Sequence, residues 1–251
     1  MPLIGLAALF FATALAYAMV GFGGGSTYTA LLVLADTDYR ILPAISLACN
    51  VTVVTGSTIR FAQAGLVPWK RLTLICAASI PMAWIGGMIH LPEQAFITLL
   101  GLALMVSAIA LLVRRPAPIA RHFPRWGEPL IGGGIGLLAG LVGIGGGIFL
   151  APLMHLFRWA EARVIAASAA FFILVNSLAG LGGQLQRLAV SEADFSALLA
   201  YWPLLPAVLV GGQIGVWIAR DKASDAWLIR FTAGLVLFVA VRLLWRAFSG
   251  G

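Results

Sequence analysis

The chain has 251 residues, of which 61% are apolar and only 10% charged, with a mean hydropathy of +1.02. A soluble domain carries about 25% charged residues, so a composition this poor in charge excludes a water-wetted enzyme or binding module and requires lipid around most of the molecule. The net charge of +7 does not mark a nucleic-acid binder, because the basic residues lie in short connections between apolar stretches, where they set membrane orientation.

Candidate apolar segments run over residues 3–35, 41–59, 72–89, 95–113, 129–157, 164–186, 196–219 and 226–247. They lack the ten-residue alternation of transmembrane β-strands, so the expected fold is all-α and polytopic, with no separable soluble domain. Met1 to Tyr17 has no basic n-region, and a cleaved signal peptide is not expected there. Cys49 and Cys76 fall inside apolar segments and read as small buried hydrophobes, not as a disulfide.

The first and fifth segments carry glycine clusters in their interiors, GFGGG at 21–25 and GIGGG at 143–147. Glycine is costly inside a helix, so each cluster is expected to break its segment. The two clusters belong to a repeat. VGFGGG (20–25) matches VGIGGG (142–147), and Asn50 before Gly56 matches Asn176 before Gly182. Pro81 with Gly86-Gly87 matches Pro206 with Gly211-Gly212, and Gly101 matches Gly234. The expected organisation is a first repeat over 1–113, a basic linker over 114–128 and a second repeat over 129–251. Each repeat is one glycine-broken segment plus three transmembrane helices.

Charge bears on how the repeats face each other. If the broken segments cross the membrane once each, the sixteen basic residues divide ten to six between the two faces. If the broken segments are re-entrant, folding back at the glycines, the division is twelve to four. The positive-inside rule favours the second arrangement, in which the repeats are inverted and both termini lie outside. Broken helices meeting at the midplane of inverted repeats are a recurring transporter plan.

The stretches after the glycines, Ser26–Leu34 and Ile148–Phe157, read as half-helices whose amino ends begin at Gly23, Gly24 and Gly25 and at Gly145, Gly146 and Gly147. A helix amino end presents unpaired N–H groups and a partial positive charge and binds anions without a charged side chain. Ser26 and Thr27 add hydroxyls on one wall, while Ile148 and Phe149 make the other apolar. The competing reading is that these glycines serve only close helix packing. That suits scattered pairs such as Gly86-Gly87 better than a matched GxGGG. Asn50 and Asn176 are intramembrane amides that either donate to the substrate or hold helices together. Arg60 either ends a span at the interface or holds an anion bidentately. His155 is a weaker candidate for a proton relay. All nine acidic residues fall in connections or near segment ends, which argues against a cation pathway. No ATP-binding, metal or dinucleotide motif is present, so neither a metal nor a cofactor is expected.

The paired GFGGGSTYTALLVL and GIGGGIFLAPLM, the GLVPW at 65–69 and the terminal GLVLF resemble the TauE/SafE family of sulfite exporters, and the resemblance covers nearly the whole chain. One departure is Ala30, which stands where the second repeat has Pro152. The resemblance implies a membrane permease for sulfite, organosulfonates or related sulfur compounds, located in a bacterial inner membrane. The expected activity is therefore secondary transport, in the export direction, of a small sulfur-containing anion held at the paired half-helix ends, with no catalysis. Its partners would be the anion, the bilayer and a coupling proton or sodium ion. The alternatives are an anion channel, or a membrane-embedded sulfur-handling enzyme or subunit that uses Cys49 or Cys76.

Overall fold

The computed structural model describes residues 2–19, 21–112, 127–157, 159–190, 195–218 and 226–249. The described residues form helices α1 (Leu3–Met19), α2 (Gly25–Leu34), α3 (Leu42–Gln63), α4 (Trp69–Met88), α5 (Glu93–Leu112), α6 (Gly127–Val142), α7 (Gly147–Leu156), α8 (Ala162–Val190), α9 (Phe195–Leu199), α10 (Leu204–Ile218) and α11 (Ala226–Ser249). No strand occurs among them. Four helical stretches, Leu42–Gln63, Trp69–Met88, Arg163–Val190 and Ser196–Ile218, are long and apolar enough to cross a membrane. The first and fifth apolar segments are each two helices, divided at the glycines. The seventh is also divided, at residues 200–203, where Pro203 cannot extend α9.

Burial separates the helices into two kinds. Every residue of α2 from Gly25 to Leu32 is buried, and α3 and α8 are largely buried. The outer helices instead expose Trp84, Trp217, Leu102, Phe238 and Trp245. In water such a surface would aggregate, whereas in a bilayer it meets lipid.

Side-chain contacts give the direction of each helix. Phe10 stacks on Tyr28 with ring centroids 4.7 Å apart, and the Tyr17 hydroxyl lies 2.9 Å from that of Thr27. The chain therefore turns back at Gly21–Gly24, and α2 runs antiparallel to α1. It descends along α3, where the Thr29 hydroxyl donates to Ser46. The second broken segment turns in the same way: Gly147 lies against Ile173, and Met154 clusters with Ile165, so α7 runs antiparallel to α8. Helices α3 and α8 are themselves antiparallel. Arg187 donates to the Arg40 carbonyl, Gly180 lies against Leu47, and Phe61 packs with Ala167.

The outer helices pack across the chain midpoint. Gly132, Gly136 and Gly140 of α6 sit on the carbonyls of Ile75, Ser79 and Ala83 of α4, so those helices are parallel. Gly211 and Gly215 of α10 sit likewise on Phe11 and Leu15 of α1. Helices α5 and α11 run antiparallel, with Gly101 against Leu244 and Gln94 bonded to the Ala247 carbonyl. Tyr39 touches Phe96, which puts the start of α5 and the end of α11 beside Arg40. Among the described residues Arg60, Lys70, Arg71 and Arg163 thus lie toward one end of the bundle. Arg40, Arg187 and Arg242 lie toward the other.

Glu128, expected in a connection, belongs instead to α6, which starts one residue before it, and its side chain is only 1% exposed. The buried charge is tolerated because Arg71 of α4 meets it twice, at 3.0 and 3.1 Å, and because a helix amino end favours an anion. The Arg71 guanidinium also lies 4.0 Å from the centre of the Trp159 ring. This joins α4, α6 and the connection before α8 at one end of the bundle. The linker residues 113–126 lie outside the described residues.

The glycine seam makes a measurable prediction. A Cβ at Gly136 would strike the Ser79 backbone, whereas one at Gly134 meets nothing within 4 Å. Gly136→Ala should lower the thermal unfolding midpoint in detergent by the equivalent of about 1–3 kcal/mol. Gly134→Ala should leave the midpoint unchanged or raise it.

Candidate functional site at the glycine breaks

Gly24 caps α2 with φ +87°, and its counterpart Gly146 has φ +79°. A side chain at either would be strained in this left-handed conformation. This geometry starts each helix abruptly. Thr27 and Tyr28 both donate their amides to the Gly24 carbonyl, and Phe149 and Leu150 both donate to that of Gly146. The amides of Gly25 and Ser26, and of Gly147 and Ile148, come before the first intrahelical acceptor. Two amino ends whose first amides have no intrahelical acceptor therefore face the molecular interior from opposite sides.

The breaks touch each other. Asn50 of α3 donates its side-chain amide to the Ile144 carbonyl of the opposite break at 3.1 Å. Gly25 packs so closely on that carbonyl and on the Asn50 amide that no Cβ fits. Around this crossing is a cavity of about 10 Å³ lined by Tyr17, Phe22, Gly23, Gly24, Gly25, Ser26, Asn50, Ile144, Ile148 and Ile173. That is room for one water and not for a three-oxygen oxyanion. The lining combines glycine backbone, Tyr17, Ser26 and Asn50 with Phe22 and three isoleucines.

Two polar atoms at the cavity have no partner: Ser26 Oγ and Asn50 Oδ1. Ser26 is 2% exposed and Asn50 0%, and an unpaired buried polar atom costs about 1–3 kcal/mol. Ser177 Oγ and Asn176 Oδ1, on the facing helix, are also unpaired and buried.

The residues expected from sequence do not all converge. Gly23, Gly24, Gly25, Ser26 and Asn50 line the cavity. Thr27 is buried behind it and engaged by Tyr17. Gly145 lies against Asn50 and Ser177, while Gly146 and Gly147 pack on Phe172 and Ile173. They shape the second break without lining the cavity. Asn176 donates to the Phe172 carbonyl of its own helix and is not among the lining residues. Arg60 is not there either: its guanidinium donates to Gln213 of α10 at 2.8 Å. The His155 side chain lies outside the described residues. Cys49 and Cys76 are buried in separate apolar clusters and do not line the cavity.

Sequence reasoning missed Tyr17, Phe22, Ile144, Ile173 and Ser177. For Phe22 and Ile144 a signal was present, since each is the variable residue inside a GxGGG. Tyr17 and Ser177 had none beyond lying close in sequence to a break or an asparagine.

The family model for sulfite exporter TauE/SafE matches residues 6–243. The chain belongs to the TauE/SafE family. A probable membrane transporter protein, y4hK of Sinorhizobium fredii, is 36% identical over 96% of this chain and 98% of its own length. A second, YunE of Bacillus subtilis, is 23% identical over 87% of this chain and 89% of its own. A third, from Haemophilus influenzae, matches at 32% identity over about a third of each chain. No solved structure matches the chain. The protein is therefore an integral, multi-pass membrane protein of a transporter family, and its relatives' names point to transport, not catalysis.

The close fit at Gly25 predicts a sharp response. Gly25→Ala should separate the breaks and abolish transport even where folded protein is recovered, as judged by size-exclusion profile. Retained uptake in vesicles would contradict a role for this crossing.

Proposed function

We propose that the protein is a secondary transporter that exports sulfite or a related small sulfur-containing anion across a bacterial inner membrane. The observation that carries this reading is the meeting of two helix amino ends at a buried crossing whose polar atoms, Ser26 Oγ and Asn50 Oδ1, lack partners. An anion there would accept from the Gly25 and Ser26 amides and the Ser26 hydroxyl, stabilised by the helix dipole. Asn50 Oδ1 is an acceptor, and it would suit the proton of a protonated oxyanion such as hydrogensulfite. The apolar wall of Phe22, Ile144, Ile148 and Ile173 withdraws this small polar spot from water, which strengthens each contact.

The duplication frames the mechanism. In this reading the halves are inverted repeats over 1–113 and 129–251, and the broken segments are re-entrant. The reciprocal pairing of α1 with α10 and α6 with α4 supports it, as does the antiparallel pairing of α3 with α8 and α5 with α11. The cavity of about 10 Å³ fits a closed state, and transport would part the breaks toward alternate faces with a proton or sodium ion as the coupling partner. The basic end bearing Arg60, Lys70, Arg71 and Arg163 would face the cytoplasm. The Asp36–Arg40 loop and the amino terminus would share the other side. Arg60 acts in this scheme as a charge near one mouth, not as a ligand at the crossing.

Purified protein in liposomes decides the assignment. Saturable sulfite flux is expected. Asn50→Asp, which brings a negative charge to the site, should reduce that flux at least roughly tenfold, about 1.4 kcal/mol. Replacing Cys49 and Cys76 together by Ser should leave it within about twofold, because neither lines the cavity. Absence of saturable flux for sulfite and for small sulfonates would refute the proposal. In the same vesicles, single cysteines at Asp36 and at Leu3 should react with an impermeant maleimide from one common face. Labelling from opposite faces would rule out re-entrant first segments.

A further inference from the structure

The two breaks match in sequence, yet they sit differently. Gly25 of the first break lies against Asn50, and Gly23 against Asn50 and Val54. In the second break Gly147 lies against Ile173 and Ala169, in the turns before Asn176, the counterpart of Asn50. The backbone differs as well: Gly145 has φ +81°, while its counterpart Gly23 is not in the left-handed region. The asparagines differ in what they hold. Asn50 reaches across to the Ile144 carbonyl, but Asn176 turns back on Phe172 of its own helix. Position 22 is the counterpart of 144, so the corresponding cross-contact would be Asn176 to the Phe22 carbonyl.

We infer that Asn50 and Asn176 are alternating latches, and that transport exchanges the two arrangements between the halves. This inference rests on the reading of the chain as an inverted-repeat transporter. In the exchanged state Asn176 donates to the Phe22 carbonyl, and Asn50 turns back on the carbonyl of Ser46, the counterpart of Phe172. An approximate two-fold axis in the membrane plane relates inverted repeats and so relates the two states: a hydrogen bond released in one half is rebuilt in the other, and neither state is strongly favoured. Packed elements are bistable and do not deform continuously, so a break held by its cross-latch and a break released from it are two discrete positions. The glycines permit both backbone orientations. The orphaned Oδ1 atoms of Asn50 and Asn176 are the residue of this arrangement, because neither side chain is fully satisfied in a position it must leave.

The test uses the full-length protein in nanodiscs with Cys49 and Cys76 replaced by Ala. Single reporter cysteines are placed at Thr58 and Gln184, which are counterparts on α3 and α8 and lie toward opposite ends of the bundle. Reaction rates with a charged methanethiosulfonate reagent are read without any substrate, so the result stands apart from whether the chain carries sulfite. Asn50→Asp removes a donor in both states, but unequally. Here it strips the Ile144 carbonyl of the break, whereas in the exchanged state the Ser46 carbonyl inside α3 keeps its helical amide partner, so the balance should shift toward the exchanged state. Asn176→Asp should shift it the other way. Loss of one hydrogen bond predicts rate changes of roughly three- to tenfold, in opposite senses at the two reporters and in opposite senses for the two variants. If either Asp variant does not fold, the Asn→Ser pair is read instead. Shifts of the same sense for both variants, no shift, or loss of fold in every asparagine variant would overturn the inference.

Discussion

The controlling constraint in this molecule is that hydrocarbon has no hydrogen bonds to give. A helix end in lipid leaves several donors or acceptors unpaired, each costing several kcal/mol. The chain nevertheless has two internal helix starts, at Gly25 and Gly147. They are tolerated because α3, α8 and the outer helices wrap them completely. The rest of the architecture follows from that need. The most polar backbone is at the centre, the most buried helices surround it, and the outer helices carry their tryptophans and isoleucines outward.

Wrapping two breaks tightly requires small residues elsewhere. The glycines of α6 and α10 let neighbouring backbones come into direct contact with α4 and α1, as membrane helices do where no hydrophobic force drives them together. The broken segments thus connect to the periphery through backbone-to-backbone seams. Asn50 adds one directed bond at the middle, joining a helix of the first half to the break of the second. Glu128, Arg71 and Trp159 add a cluster of charge and ring near one end of the bundle. Packing supplies most of the cohesion, and these few polar contacts specify which surfaces meet.

Much of this was legible in the sequence. The apolar segments and their division at GFGGG and GIGGG follow from period and glycine chemistry. Of the expected site set, Gly23, Gly24, Gly25, Ser26 and Asn50 lie around one cavity, whereas Thr27, Gly145, Gly146, Gly147, Asn176 and Arg60 do not line it. What was not legible depends on three-dimensional proximity. Arg60 and Asn50 lie on the same helix ten residues apart, yet one meets Gln213 and the other meets Ile144. The sequence positions alone do not separate these outcomes. Glu128 looked like a linker residue because its partner, Arg71, is 57 positions away. The difference between Asn50 and Asn176 is conformational, and residues at matching places in the sequence cannot announce it.

The narrowness of the crossing has an electrical consequence. A site of about 10 Å³ walled by isoleucines cannot sustain a continuous file of waters through the centre of the protein, and so offers protons no wire. A membrane transporter this narrow at its centre can remain in an energised membrane without short-circuiting it. Insulation would then come from the isoleucines around the crossing, and loosening them would show first as a leak.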